Sequence, residues 1–359
     1  MRIAEFLSIR WTEPGEPLIE PPPFSPIIAD PSFLFPAETP DGDWQIFAHS
    51  AFGIHRHSSP DGLSWKHRGI AIKNAMRAFV RPLPEDGYAL YYESYPPLAL
   101  AATAFPIHPK WKSRIALSES RDLVAWSRGD VIISPDKNWA TDEALGASVS
   151  NPCVIQARGE WRLYFSASLS WIEDCGFCEP LHLAMARGAS PRGPFTFPPD
   201  PLSAPELREE ALEPAIRETG ASVAEDSGTV TGLLGQGSIK VVPMDDGYVG
   251  LQNKIYRDPS GRSRSAIFIL RSEDGLSWLP ARSEPLLAPA ISGWTSSHVY
   301  ACDCRFREAD GRWYLYFNAR DGWRIGQGKE RIGRIVGTEQ KRICGGSLGG
   351  STPAGRKES

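Results

Sequence analysis

The chain has 359 residues, 41% hydrophobic and 23% charged, with 12 Trp, 33 Gly and 32 Pro. This is ample core material, so disordered and collagen-like chains are excluded; one large all-β unit or two ordinary domains would fit the length. A formal net charge of −4 and a pI near 6.0 give no global basic field for nucleic acid or an anionic membrane.

The N-terminal apolar run, Met1 to Trp11, is too short for a signal peptide, and no stretch has the roughly 18 apolar residues of a membrane span. The expectation is a cytoplasmic protein whose six Cys stay reduced. Pro21-Pro22-Pro23 then fixes an extended lead-in that wraps the outside of the rest of the chain.

From Ile28 one plan recurs. Ile28-Ala29-Asp30-Pro31-Ser32-Phe33-Leu34 reads as a strand, and Asp41-Gly42-Asp43-Trp44-Gln45-Ile46-Phe47 as a turn with a returning aromatic strand. Further Gly-turn-aromatic returns start at Asp86-Gly87-Tyr88, Arg158-Gly159-Glu160-Trp161, Asp246-Gly247-Tyr248 and Asp310-Gly311-Arg312-Trp313. A third element, Ser59-Pro60-Asp61-Gly62-Leu63-Ser64-Trp65, recurs at Ser120 to Trp126 and Ser272 to Trp278, more weakly at Ala189 to Phe195. It fits a turn from a third strand to an outer fourth, with the Trp beneath.

Repeats of about 40 to 60 residues with several strands each are the signature of a β-propeller. Five returning strands give an all-β, five-bladed propeller with four-stranded antiparallel blades over residues 1–337; a β-sandwich with similar turns is the competing architecture. Residues 198–235 fall outside the repeat and read as an insertion between blades three and four. The Gly/Ser-rich residues 338–359 read as a disordered tail.

In a propeller the innermost strands run the same way, so their starts meet at one mouth, and the second strands end there too. That puts Asp30, Arg77 to Arg81, Asn151, Gln236 and Asp303 at strand-one starts, and His49, Glu93, Ser166 to Ser168, Asn253 and Arg320 at strand-two ends. Polar residues occupy all ten positions.

With these residues in view, the chain resembles the family-43 glycoside hydrolases and their five-bladed relatives, the arabinanase, levansucrase and invertase group. The Asp30-Pro31 opening, the five blades and the Ser-x-Asp turns carry the resemblance, which covers about Ile28 to Gly337. It implies an inverting glycosidase with an Asp base at Asp30, a second Asp before Pro, and a Glu acid. The matching stretches here read Asn151-Pro152 and Gln236-Gly237, so two of the three carboxylates are amides. An amide cannot give up a proton as a general acid, although it can bind sugar hydroxyls.

Glu93 and Asp303 are the candidate replacement acids beside Asp30; each is equally readable as an ion-pair partner of Arg77, Arg81, Arg305 or Arg320. Arg77, Asn151, Gln236, Asn253 and Arg320 are candidate substrate contacts, and His49 is either a contact or a hydrogen-bonded structural residue. So many arginines would suit an acidic sugar, a phosphate or a sugar nucleotide. Cys175, Cys178, Cys302 and Cys304, with His182 nearby, could form a zinc site only if two distant loops met, so no metal or other cofactor is assigned. The expected function is a glycosidase acting on a glycan or glycoconjugate at the mouth. The alternative is a non-hydrolytic carbohydrate-binding or polysaccharide-assembly propeller, and a protein-interaction propeller lacks its Gly-His and Trp-Asp signature.

Overall fold

The structure, a computed structural model, describes residues 1–97, 110–202 and 233–339. The expected tail and most of the expected insertion lie outside the described residues. The inner strand of blade four starts at Leu233, inside the interval read as insertion, and the last strand runs to Thr338.

Four-stranded antiparallel blades account for most of the strands. Blade one is Ala29–Leu34, Trp44–Ser50, Gly53–Ser59 and Lys66–Lys73. Blade two is Ala75–Pro82, Tyr88–Ser94, Arg114–Ser120 and Asp130–Ile133. Blade three is Val149–Ala157, Glu160–Ala167, His182–Gly188 and Phe195–Thr196. Blade four is Leu233–Met244, Gly247–Arg257, Ser263–Ser272 and Leu279–Pro280. One parallel pairing, Ser265 with His298, joins it to blade five: His298–Arg307, Arg312–Arg320, Glu330–Thr338 and, as outer strand, Arg10–Trp11.

The inner strands contact one another in cyclic order, blade five against blade one included, so the ring closes. The lead-in continues along the edge of blade five, where Leu18 N–H donates to Ile332 C=O and Ile28 N–H to Glu330 C=O.

The recurring turns serve as mortar between blades. Ser59, Ser120 and Ser272 each accept a backbone N–H three residues on, and Asp61, Asp122 and Asp274 accept two more each. The following Trp65, Trp126 and Trp278 pack edge-on against Tyr316, Phe47 and Tyr164, all on the second strand of the preceding blade. Tyr316 and Tyr164 donate their hydroxyls to Gly62 and Gly275 C=O in those turns. Gly62 has φ +70°, and a Cβ there would lie 2.9 Å from the Tyr316 hydroxyl, so glycine suits this copy of the turn, whereas the blade-two copy, which faces Phe47, takes Leu123 at φ 63°. No helix among the described residues is long and apolar enough to cross a membrane.

Candidate active site

Every inner strand breaks register near its start, between Ala29 and Ser32, Met76 and Phe79, Ser150 and Cys153, Gln236 and Ser238, and Val299 and Cys302. A bulge re-aims the side chain it carries. Asp30, Arg77 and Asn151 take left-handed backbone conformations there, with φ 50°, 56° and 52°. Together with Gly237 and Tyr300, these bulges surround a cavity of about 350 Å³, within the usual range for a small-ligand site. Trp111, Trp171 and Phe177 give it an aromatic wall.

Side chains near the second-strand ends stitch four of the five bulges to the neighbouring blade. His49 Nδ1 lies 3.3 Å from Arg77 N–H, Ser166 and Asn151 donate to Gly237 C=O, Asn253 donates to Val299 C=O at 3.0 Å, and Asn318 Oδ1 accepts Asp30 N–H at 3.1 Å. Several residues expected to contact substrate therefore also hold the ring together. Gln236 faces away: its amide oxygen accepts from Gln252 at 2.8 Å, and Gly237 takes its place at the cavity.

The carboxyl groups sort into two sets. Glu93 is fully buried outside the cavity, taking Arg77 Nη1 at 2.5 Å and Trp111 Nε1 at 3.0 Å. Asp303 is 1% exposed and also lies outside the lining; it accepts two bonds from Arg81 and one each from the Ser32 hydroxyl and Phe33 N–H. Burial works against its charge, but Arg81 outweighs this and holds Asp303 below the usual carboxylate range. Both are placed as ion-pair partners.

Asp30, Glu179 and Glu330 line the cavity. Asp30 keeps 16% of its side chain exposed, with Oδ2 3.2 Å from His49 Nδ1. Burial, with the Arg77 charge second, lowers His49 to about 3, so the ring is neutral and this contact is not an ion pair; its Nδ1 is the acceptor of Arg77 N–H. Burial raises Asp30, against the pull of Arg77 and Lys240. Burial also pushes Glu179 up to about 8 and Glu330 to about 7, with Arg77 and Arg320 respectively opposing it most. The Glu330 and Asp30 charges add to the rise of Glu179, and the Asp30 charge adds to that of Glu330, so ionisation of all three together near neutrality is disfavoured. Asn318 Nδ2 donates to Glu330, and its other amide atom holds Asp30, so one side chain ties the two positions.

Glu179 and Glu330 are absent from the strand-one and strand-two mouth positions. Glu330 opens the third strand of blade five, and Glu179 ends a hairpin, Ser170–Ile172 with Phe177–Glu179, inserted between strands two and three of blade three. Third strands begin where second strands end, so the same topological rule extends to them. Arg320, 1% exposed, also lines the cavity; its Nε and the Tyr300 hydroxyl are buried without hydrogen-bond partners.

No family model and no curated protein matches the chain by sequence. Solved structures do match. The catalytic domain of the Coprinopsis cinerea family-62 α-L-arabinofuranosidase superposes with TM-score 0.60 at 16% identity, over 92% of this chain and 98% of that one. The fold is a β-propeller of the kind found in this glycoside hydrolase. A thermostable family-43 glycoside hydrolase aligns over 92% of this chain and 96% of its own, at TM-score 0.53 and 13% identity. An N-acetylgalactosamine deacetylase from F. plautii, solved with blood group B trisaccharide, gives TM-score 0.58 at 13% identity, over 92% and 95%. This architecture is thus shared with proteins of more than one chemistry.

Proposed function

We propose that this propeller hydrolyses a glycosidic bond in its axial cavity, with Asp30 as general base and Glu179 as general acid. The observation that carries the proposal is the meeting of Asp30 with two buried glutamates in one cavity, both raised by burial, Glu179 to about 8 and Glu330 to about 7. Water loses a proton to the Asp30 carboxylate as its oxygen bonds to the anomeric carbon; the bond to the leaving group breaks, and that oxygen takes the Glu179 proton. Glu330, beside Arg320 and Asn318, binds a sugar hydroxyl and sets the charge felt by both groups. Trp111, Trp171 and Phe177 line the cavity and supply apolar surface for the apolar side of a sugar.

The substrate is a glycan or glycoconjugate, and Arg77 and Arg320 favour one with an acidic group. Thiols at Cys153, Cys175, Cys178, Cys302 and Cys304, all unpaired, agree with a reducing, cytoplasmic setting. Against hydrolysis stands the lack of carboxylates at Asn151 and Gly237, which favours a protein that binds sugar without cleaving it.

One experiment decides. Wild type, Asp30→Asn and Glu179→Gln are assayed against a panel of aryl glycosides and oligosaccharides, with sugar binding followed by calorimetry. Hydrolysis predicts a loss of about 10²- to 10⁴-fold in kcat for either variant with binding retained. Binding without any product in wild type would replace the proposal with the non-hydrolytic reading.

A further inference from the structure

Blade one carries three histidines away from the cavity lining, His55, His57 and His67. His55 and His57 stand two apart on the third strand and so share a face. His67, on the outer strand, pairs with His57 across the sheet. Register breaks between Ile54 and His55 and between Arg56 and His57 flank the cluster and set how these side chains are aimed.

Ring centres lie 5.0 Å apart for His55 and His67, 5.1 Å for His57 and His67, and 6.3 Å for His55 and His57. Three imidazoles around a tetrahedral zinc would have centres roughly 5.2 Å apart, from a zinc–nitrogen bond of about 2.0–2.1 Å plus the ring radius. Among the described residues no group of three or more His, Cys, Asp or Glu side chains is placed, as it stands, to hold a metal ion. The reason is local: His55 Nδ1 and His67 Nε2 face each other at 2.9 Å and share a hydrogen bond. Zinc would need those atoms roughly 3.3 Å apart, a small opening.

The remaining valences suit a ligand set. His55 Nε2 lies 2.7 Å from the Ser50 hydroxyl, the outer contact that orients a coordinating ring. His57 is 7% exposed, and its Nδ1 is buried with no hydrogen-bond partner. His67 is exposed, which gives an ion a way in.

We propose that His55 Nδ1, His57 Nδ1 and His67 Nε2 bind one zinc-class divalent ion, with water as fourth ligand. The ion clips the outer strand of blade one to the strand beside it. It takes no part in the proposed hydrolysis.

The test uses the full chain, stripped with a chelator and titrated with zinc against a chromophoric competitor. Cobalt(II) serves as the spectroscopic stand-in. Wild type is expected to bind one equivalent and to show the visible absorption of tetrahedral cobalt. His67→Gln, at an exposed position that leaves folding intact, and His57→Gln are each expected to weaken binding at least about 100-fold, while His182→Gln leaves it unchanged. Failure of wild type to retain zinc at micromolar concentration, or equal affinity in wild type and His67→Gln, overturns the site.

Discussion

Glu179→Gln should make the protein more stable at pH 8 while removing its proposed acid. The carboxyl is pushed from 4.5 to about 8 in the fold by burial, with Arg77 opposing and Glu330 adding to the rise. Between those values the unfolded chain has lost this proton and the folded one has kept it. Stability from this group is therefore complete below pH 4.5 and declines as pH climbs through about 8. A rise of that size corresponds to roughly 4 kcal/mol at pH 8 as a ceiling. Gln still needs hydrogen-bond partners and gives up the attraction of Arg77 and Arg320, so a net gain of about 1–3 kcal/mol is expected. At about 2 °C per kcal/mol for a chain of this size, Tm should rise by roughly 2–6 °C at pH 8 and little at pH 4.5. Thermal melts of wild type and variant across that range measure it. A variant that melts lower than wild type at pH 8, by as much as at pH 5, would show that Glu179 is ionised and paired in the fold, and the general-acid assignment would fall with it.

Other consequences concern the frame. Asp303→Asn leaves Arg81 without its buried counter-charge, so denaturant melts should lose about 3–5 kcal/mol while sugar affinity per folded molecule stays constant; a selective loss of turnover would return Asp303 to the chemistry. Deleting residues 1–11 strips blade five of its outer strand and of Phe6, fully buried with its ring 4.9 Å from Trp313. The loss of Phe6 burial alone is worth about 2–3 kcal/mol, so urea melts should show a lower midpoint or two transitions, and an unchanged melt would mean that the strand is dispensable.

The architecture was legible because its signals are local and repeated. Asp-Gly-Leu-Ser-Trp at residues 61–65 and 274–278 marks the same turn twice, and aromatic returns such as Trp313 to Phe317 mark second strands. Counting strand directions then placed Asp30, Arg77, Asn151 and Arg320 around one cavity. Rotation of individual side chains was not legible. The bulge between Gln236 and Ser238 turns Gln236 toward Gln252 and leaves Gly237 facing the cavity, and nothing in the one-dimensional pattern marks that half-turn. Glu93 faces Arg77 on the neighbouring strand of its own blade, and Asp303 reaches from blade five to Arg81 of blade two, choices set by side-chain packing rather than by strand order. Glu179 sits on a short hairpin that breaks the repeat, where periodicity carries no information.

The pairing of Arg10–Trp11 with Gly337 and Thr338 has a consequence for the order of events during synthesis. The first strand made cannot find its partner until the last has been made, so the N-terminal segment must wait unpaired while the intervening blades assemble. Its apolar residues, Phe6, Ile9 and Trp11, lack the blade-five part of their packing during that wait. Completion of the circle is then a single late event that couples both ends of the chain, and it is the step at which a chaperone or an aggregating neighbour would compete.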